Sequence, residues 1–287
     1  MGRPWRDHPS WAVVERVGDA IGRDVAGLLT DADADTLRLT RNAQPATFTL
    51  SLVVLDAARA AGLLDAPVAG VAGHSLGEYS ALVAAGVLPE QDAANLVAER
   101  GEAMQAASEA APGTMAAVLG LEPDQVAAAC RGVEGVWVAN DNAPGQIVVA
   151  GTPAGVDAAS ARARDLGAKR VVALPVGGAF HSPLMGPAGA RLERALATVA
   201  WSAAAVPVVT NVDAAPHLDG FPDLLAAGLT APVRWRESLL GLRSLGADLW
   251  VELGPGSELS GMVKRSVEGA RRVTVNTPDD LEAARVG

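Results

Sequence analysis

Apolar residues recur at helical spacing in two segments near the start of the chain, which predicts amphipathic helices over residues 10–29 and 46–61. The apolar positions that mark these faces are Val13, Val17 and Ile21 in the first segment and Leu50, Val53, Val54 and Ala57 in the second. A short apolar run at 68–72 leads into Gly73 and predicts a buried strand. We expect one helix to begin directly after Ser75 and another to begin at Pro89.

The segment 113–177 has a different rhythm, in which short apolar runs are separated by helical stretches. Its predicted strands are 115–119, 136–139, 146–150 and 170–174, and its predicted helices are 123–130 and 153–166. A polar turn over residues 140–145 connects the second and third strands. The order β-α-β-β-α-β is the ferredoxin-like pattern. We therefore expect a small ferredoxin-like domain over 113–177, inserted into a large domain made of 1–112 and 178–287.

Strands and helices alternate again after residue 177. The predicted helices are 187–199, one that ends before Pro232 and one from Glu237, and the predicted strands are 206–210, 248–253 and 272–276. Such alternation is typical of a parallel sheet that helices cover on both faces. The expected fold class is therefore α/β, with a large domain similar to that of α/β-hydrolases and a parallel sheet.

Composition narrows the class of protein. Of the 287 residues 49% are hydrophobic but only 3% are aromatic, so the core must consist of Val, Leu and Ala. The formal net charge of −10 opposes a nucleic-acid surface, which needs a basic stripe. Cys130 is the only cysteine, the first ten residues are polar, and the longest apolar run, 81–88, is too short to span a membrane. We expect a cytoplasmic monomer that does not contact a membrane.

The pentapeptide Gly73-His74-Ser75-Leu76-Gly77 has the pattern of a nucleophile elbow between a strand and a helix. Because the backbone turns sharply there, we expect a Cβ at either glycine to collide with neighbouring chain. Ser75 would lie at a helix N-terminus, and the Leu76 amide would point to the place where an oxyanion forms. This pattern alone suits any serine esterase.

A serine nucleophile needs a base, and four histidines are available. His8 and His217 lie in polar segments and are expected at the surface, while His74 is expected to pack away from Ser75. His181 lies where the small domain returns to the large one, at a predicted cleft. It is either the base or a loop histidine that caps the helix at Pro187.

Arg100 interrupts an otherwise ordinary amphipathic helix. It is either solvated or paired with a glutamate, or it is a buried guanidinium that binds a substrate carboxylate in a bidentate pair. The residue pattern leaves both interpretations open.

Together these motifs resemble the malonyl-CoA:acyl carrier protein transacylase family over nearly the whole chain. The matching blocks, in order, are 73–82, 99–101, 140–146, 178–181, 211–213, 232–235 and 252–256. Any one block is weak evidence, but the order and spacing are very specific.

The resemblance implies a role for each matching residue. Ser75 would be the acylated nucleophile, His181 its base and Leu76 a donor to the oxyanion. The backbone carbonyl of Gly228 would orient His181. Arg100 would hold the malonate carboxylate.

The resemblance also implies a substrate preference and a mechanism. Phe180 would favour malonyl over methylmalonyl groups, because its bulk leaves little room for an α-methyl. A ping-pong reaction would move malonyl from malonyl-CoA, the substrate, to the phosphopantetheine thiol of acyl carrier protein, the partner. No metal or other cofactor is implied.

The carrier protein is acidic, so its docking needs local positive charge. Lys169 and Arg170 match a basic pair implicated in docking in relatives. The pairs 264–265 and 271–272 are further candidates. For each pair, an ordinary solvated charge is the alternative.

One departure from the family pattern stands out. The family opens with a strand that runs into Pro-Gly-Gln-Gly-Ser-Gln, which supplies half of the oxyanion hole, and that segment is absent before Pro4. We hypothesise that roughly 10–20 residues precede Met1 in the native protein, a length set by strand and loop geometry. The alternatives to malonyl transfer are an impaired homologue that only binds carrier protein, and a serine thioesterase or hydrolase.

Overall fold

The computed structural model describes the backbone of residues 1–286 and the side chains of residues 1–284. The α-helices are α1 Ala12–Ile21, α2 Val25–Thr30, α3 Ala34–Arg38, α4 Thr40–Ala60, α5 Gly77–Ala84, α6 Glu90–Ala110, α7 Pro123–Cys130, α8 Pro153–Asp165, α9 Gly186–Leu196, α10 Phe221–Gly228, α11 Trp235–Ser244, α12 Glu258–Ser266 and α13 Pro278–Val286. The strands are β1 Val71–Ala72, β2 Thr114–Leu119, β3 Val136–Ala143, β4 Gln146–Gly151, β5 Arg170–Ala173, β6 Val208–Val209, β7 Pro216–His217, β8 Leu249–Leu253 and β9 Arg271–Val275. Short 3₁₀ turns occur at Arg3–Trp5, Pro9–Trp11 and Pro183–Met185.

Strands β2 to β5 form a four-stranded antiparallel sheet in the order β3-β4-β2-β5. One face packs against α7 and α8 through a small apolar core that includes Val118, Val126 and Val156. The other face carries Met115 and Ala117 and packs against the segment that leads to His181. Because both faces are covered, the two central strands β2 and β4 are apolar at nearly every position instead of alternating.

The rest of the chain forms a larger unit whose main core is dominated by Ala, Val and Leu from α1, α4, α6 and α9. Its strands lie in two pieces, a three-stranded sheet β1-β6-β7 and a parallel pair β8-β9. The α/β class is confirmed, and the β1–β6 and β8–β9 pairs are parallel, but they belong to two separate sheets, and β7 pairs with β6 antiparallel. Strand β1 is only two residues long because Val68 is 39% exposed and the run before Val71 does not pair.

Two predicted helices differ from the observed ones for identifiable reasons. The helix expected over 10–29 is split, because Gly22 adopts φ +64° and ends α1, and Asp24 then caps α2. Helix α4 begins well before residue 46 and contains Pro45. Proline cannot bond the carbonyl four residues earlier, and that carbonyl, on Arg41, accepts a hydrogen bond from Arg23 Nη1 at 2.6 Å.

The predicted turn over 140–145 is shorter than expected, because β3 continues to Ala143 and only Pro144 and Gly145 turn. The three polar residues 140–142 are 5–8% exposed, so they are buried rather than solvated. The pairing of β3 with β4 shifts register on both sides of Asn140 and Asp141. Such bulges re-aim side chains, and here they direct polar groups toward the larger unit.

Candidate active site

Ser75 lies at a sharp turn between β1 and α5, with φ +51°, a value that few residues other than glycine adopt. A Cβ on Gly73 would lie 1.9 Å from the Gly77 carbonyl carbon, so only glycine fits there. A Cβ on Gly77 would meet nothing within 4 Å. The expectation that both glycines are required by sterics is therefore wrong for Gly77.

Asn211, which lies in the segment directly after β6, holds this turn in place through its side chain. Its Oδ1 accepts the Ser75 N–H at 2.6 Å, and its Nδ2 donates to the Gly73 carbonyl at 2.8 Å. The Asn211 N–H in turn donates to Glu78 Oε1 at 2.8 Å. Asn211 and Glu78 are 2% and 7% exposed, so the strained conformation of Ser75 is held by a buried polar network.

Burial also changes the protonation of Glu78. It raises the pKa of this carboxyl to about 8, because the hydrogen bond from Asn211 and the charge of Arg100 only partly offset the loss of solvation. Glu78 is therefore predominantly protonated at neutral pH.

His181 contacts the nucleophile directly, with Nε2 2.8 Å from Ser75 Oγ. Its Nδ1–H donates to the carbonyl of Gly228 at 2.9 Å, at the C-terminal end of α10, where helix carbonyls lack partners. A carbonyl can only accept, so Nδ1 carries the proton and Nε2 presents its lone pair to Ser75. Since Met185 caps α9 and Ser182 caps the preceding 3₁₀ turn, His181 is not a helix cap.

The charge state of His181 follows from its surroundings. Burial and the nearby positive charge of Arg100 lower its pKa to about 3. The imidazole is neutral at physiological pH and can accept a proton from Ser75.

Arg100 is 4% exposed on α6 and donates from Nη2 to Ser75 Oγ at 2.9 Å. Its Nη1 donates to Gln44 Oε1 at 2.7 Å, and its Cζ lies 5.8 Å from the centre of the Tyr79 ring. Among the described residues no carboxylate lies within ion-pair distance of this guanidinium. Neighbouring Glu99 instead pairs with Arg191, at 3.0 Å between Nη2 and Oε2. The solvated and glutamate-paired interpretations are therefore wrong, and the site retains an uncompensated buried cation.

These groups meet in a cleft of about 460 Å³. Its lining includes Leu76, whose N–H makes no hydrogen bond to any described residue, and the half-buried Phe180. A serine, a neutral imidazole, a free amide N–H and a cation around one cavity can perform acyl transfer on a substrate that carries a carboxylate.

The remaining histidines contribute packing and turn contacts. His74 Nε2–H donates to Asn142 Oδ1 at 2.8 Å, and the ring meets the edge of Trp235. His217 is half-buried in β7 and bonds Asp213, so it does not lie in a surface loop. His8 caps a 3₁₀ turn and packs against Trp5.

The predicted docking residues lie away from this cleft. Lys169 and Arg170 are exposed where β5 begins, and β5 is one of the two edge strands of the four-stranded sheet. The chain after β5 continues into Pro175 and Gly177, which line the cleft. Of the other basic candidates, Arg265 donates to Gln146 and Arg271 pairs with Asp248.

Three residues of the site were missed by the sequence analysis, namely Gln44, Glu78 and Asn211. A signal was present for Asn211, because it follows β6, the parallel neighbour of β1, and polar residues at the carboxyl ends of adjacent parallel strands meet at one edge. Glu78 gave no such signal, because an acidic residue in the first turn of a helix is usually exposed. Gln44 gave none either, because it precedes Pro45, where the sequence predicts no helix.

No helix described between residues 1 and 286 has the length and apolar character needed to cross a membrane. Within the same residues, His, Cys, Asp and Glu side chains form no cluster that would hold a metal ion.

Comparison with known proteins agrees with the site. A family described as "Acyl transferase domain" matches residues 8–278. The malonyl CoA-acyl carrier protein transacylase of Bacillus subtilis is 40% identical over 276 residues, which cover 94% of this chain and 86% of the relative. The Escherichia coli K12 protein of the same name is 40% identical over 270 residues, covering 92% and 87%.

Solved structures give the same result. An acyl carrier protein S-malonyltransferase from Vibrio cholerae superposes with a TM-score of 0.90 at 37% identity, covering 96% of this chain and 90% of that one. A malonyl-transacylase solved with its type II polyketide acyl-carrier protein superposes with a TM-score of 0.94 at 32% identity, covering 100% and 94%.

Proposed function

Because this chain belongs to the acyl transferase domain family, we propose that it transfers a malonyl group from coenzyme A to the phosphopantetheine thiol of an acyl carrier protein. The observation that carries this proposal is Arg100, a buried cation without a carboxylate partner that touches the Ser75 hydroxyl. A carboxylate on the acyl group supplies the missing charge, and malonyl thioesters have one.

The first half-reaction uses the Ser75–His181 pair. His181 Nε2 takes the hydroxyl proton as Ser75 Oγ attacks the thioester carbonyl, and the Leu76 N–H receives the developing oxyanion. The C–S bond then breaks, and the CoA sulfur leaves with the proton from His181. The products are malonyl-Ser75 and CoA. The Gly228 carbonyl stabilises the imidazolium that forms in between.

The second half-reaction runs the same steps with the carrier thiol as nucleophile. His181 takes the thiol proton, the sulfur attacks the ester carbonyl, and Ser75 Oγ leaves with that proton. Arg100 holds the malonyl carboxylate throughout, which fixes the ester and disfavours attack by unpositioned water. Phe180 borders the acyl group and disfavours an α-methyl substituent.

Substrate binding also tunes the base. In the free protein, the charge of Arg100 is among the causes that lower the pKa of His181. A malonyl carboxylate neutralises that charge, so the pKa of His181 rises when the correct acyl group binds. An acyl group without a carboxylate gives no such gain.

Further features of the proposal concern partners. Lys169 and Arg170 provide positive charge for an acidic carrier protein, and their exposure supports this role. A net charge of −10 supports the absence of a nucleic-acid partner. We assign the protein to the cytoplasm as a monomer without membrane contact.

A two-step labelling experiment tests the function. The protein is incubated with malonyl-CoA, its mass is measured, and holo carrier protein is then added. We expect a malonyl adduct on Ser75 that moves to the carrier much faster than it hydrolyses. An absent adduct would support the impaired carrier-binding homologue. If the malonyl group on Ser75 were hydrolysed at the same rate with and without carrier protein, the result would support the hydrolase.

A further inference from the structure

Glu78 is a buried carboxyl group that lies at the same turn as the buried cation of Arg100. Its N–H donates to the Ser75 carbonyl at 3.2 Å, and its Oε1 accepts the Asn211 N–H at 2.8 Å. Arg100 Nη2 donates to the Oγ of the same serine at 2.9 Å. Glu78 and Arg100 are 7% and 4% exposed, yet none of the ion pairs among the described residues joins them. Two buried ionisable groups of opposite sign therefore flank Ser75 without forming a contact pair.

The two groups act on each other through the protein interior, where charges are poorly screened. Burial raises the pKa of Glu78, and the hydrogen bond from Asn211 and the charge of Arg100 limit the rise to about 8. Burial lowers the pKa of Arg100, and the charges of Tyr79 and Glu78 oppose that change. Any ligand that cancels the charge of Arg100 therefore makes Glu78 hold its proton more tightly.

The other titratable groups that face Glu78 keep one charge state near neutral pH. Burial raises the pKa of Tyr79, so this phenol stays neutral. Burial of Asp213 is outweighed by its hydrogen bonds, first that from Thr210, so its pKa lies below the usual range and it stays ionised. Helix α10 contributes Gly228, whose Cβ, if present, would lie 4.0 Å from Glu78 Oε2, and which carries no charge. The charge state that changes here is that of Glu78.

The charge of the Glu78–Arg100 pair determines which acyl group the site accepts. When Glu78 is neutral, the pair carries one positive charge, and a malonyl carboxylate neutralises it. When Glu78 is ionised, the pair is already neutral, and the same carboxylate leaves a net negative charge in a buried site, which is costly. An acetyl group adds no charge in either state.

We propose that Glu78 sets malonyl selectivity through Arg100, because its neutral form leaves the cation to the malonyl carboxylate and its ionised form competes with that carboxylate. This inference rests on the proposed function, in which Arg100 binds the malonyl group. Glu78 does not line the cleft, so it is a positioning residue that acts through Arg100.

The pH dependence of selectivity tests this competition. With a pKa of about 8, Glu78 is about one-tenth ionised at pH 7 and about nine-tenths ionised at pH 9. The fraction of protein that accepts malonyl therefore falls about tenfold, and kcat/KM for acylation of Ser75 by malonyl-CoA should fall about tenfold relative to acetyl-CoA. A ratio that stays constant from pH 7 to pH 9 would overturn the proposal.

Two variants assign the change to Glu78. Glu78→Gln keeps an acceptor for the Asn211 N–H but cannot ionise, so the ratio should stay at its neutral-pH value up to pH 9. Glu99→Gln is the matched control, since it removes the carboxyl next to Arg100 in sequence, which pairs with Arg191 and does not line the cleft. It should keep the tenfold fall. A fall that persisted in Glu78→Gln would contradict the proposal.

A proton count separates this inference from the proposed function. Malonyl-CoA is titrated calorimetrically into Ser75→Ala, which cannot be acylated at that position, in two buffers of different ionisation enthalpy. The difference in heat gives the protons taken up on binding. We expect about half a proton at pH 8, close to none at pH 6, and none with acetyl-CoA. His181, whose pKa burial and Arg100 lower to about 3, would instead give more uptake at pH 6 than at pH 8.

The outcomes are distinct. Uptake of this size that is lost in the double variant Ser75→Ala/Glu78→Gln supports the inference, even if the protein never passes malonyl to a carrier protein. Absence of uptake at pH 8, or uptake that remains in the double variant, refutes it even if malonyl transfer proceeds. Equal affinity for malonyl-CoA and acetyl-CoA at pH 7 would refute the carboxylate-binding role of Arg100 and this inference with it.

Discussion

Three polar side chains near Ser75, those of Gln44, Glu78 and Asn211, are buried and hydrogen-bonded, whereas the basic side chains at the start of β5 are exposed and form no ion pair with any described residue. Asn211, Glu78 and Gln44 each bond a group that shapes the cleft. Lys169 and Arg170 instead extend from an edge strand into solvent. Bond-making needs fixed atoms, but attraction of a charged partner needs only net charge within a Debye length. Substitutions in the first region should therefore affect rate, selectivity and stability, and those in the second only affinity.

The largest effect is expected from Arg100→Ala. Removing the cation leaves the malonyl carboxylate without a partner in a buried site, so kcat/KM for malonyl-CoA should fall about 30- to 1,000-fold. Acetyl-CoA has no carboxylate, so its kcat/KM should stay constant or rise. The measurement is the rate of Ser75 acylation with each thioester.

Arg191→Ala is the matched control for this substitution. Arg191 also bonds a side chain of α6, but its own side chain is 39% exposed and does not line the cleft, so malonyl selectivity should stay at the wild-type value. If Arg100→Ala lowered kcat/KM equally for malonyl-CoA and acetyl-CoA, Arg100 would maintain the structure of the cleft and would not act by binding the malonyl carboxylate.

An effect of intermediate size is expected from Glu78→Gln, on the pH dependence of the free energy of unfolding. Its pKa is raised from 4.5 when unfolded to about 8 in the folded protein, so the folded state binds the proton more tightly. The free energy of unfolding should therefore fall as pH rises between these values, by at most about 1.4 kcal/mol per pH unit from this group. Glu78→Gln keeps the acceptor for the Asn211 N–H but cannot ionise, so it should remove this slope.

Urea unfolding of both proteins between pH 5.5 and 8.5 measures the slope. Identical slopes for wild type and Glu78→Gln would mean that Glu78 is ionised at neutral pH and that burial does not govern its charge.

The smallest effect is expected from the double variant Lys169→Ala/Arg170→Ala. The KM for carrier protein should rise a few-fold, because exposed charges contribute roughly 0.2–1 kcal/mol each. Added salt should reduce the difference, and the KM for malonyl-CoA should not change. Arg271→Ala, which removes an exposed arginine already paired with Asp248, is the control. If Arg271→Ala raised the KM for carrier protein as much as the double variant does, the change would reflect the total charge of the protein and not a docking site at β5.

How far the sequence predicts this structure depends on the range of each interaction. The four strands of the small sheet were predicted within a few residues because hairpins and capped helices depend on local sequence. The turn at Ser75 was identified for the same reason, since Gly73 leaves no room for a Cβ. Strand β1 was overestimated, because an apolar run does not reveal whether a partner strand lies beside it.

Contacts that join distant segments were the part that the sequence could not supply. Gln44 and Arg100 are 56 positions apart, and Glu78 and Asn211 are 133 apart. No spacing rule links such pairs. The burial of 140–142 was missed because a polar run favours a solvated turn, whereas here the larger unit supplies its partners.

A competition experiment tests the central claim most directly. The protein is mixed with equal concentrations of malonyl-CoA and acetyl-CoA, quenched within one turnover, and the peptide that contains Ser75 is identified by mass. The account predicts that Ser75 carries malonyl almost exclusively, because only that acyl group neutralises Arg100. Acetyl and malonyl in comparable amounts on Ser75, or malonyl on any other residue, would contradict it.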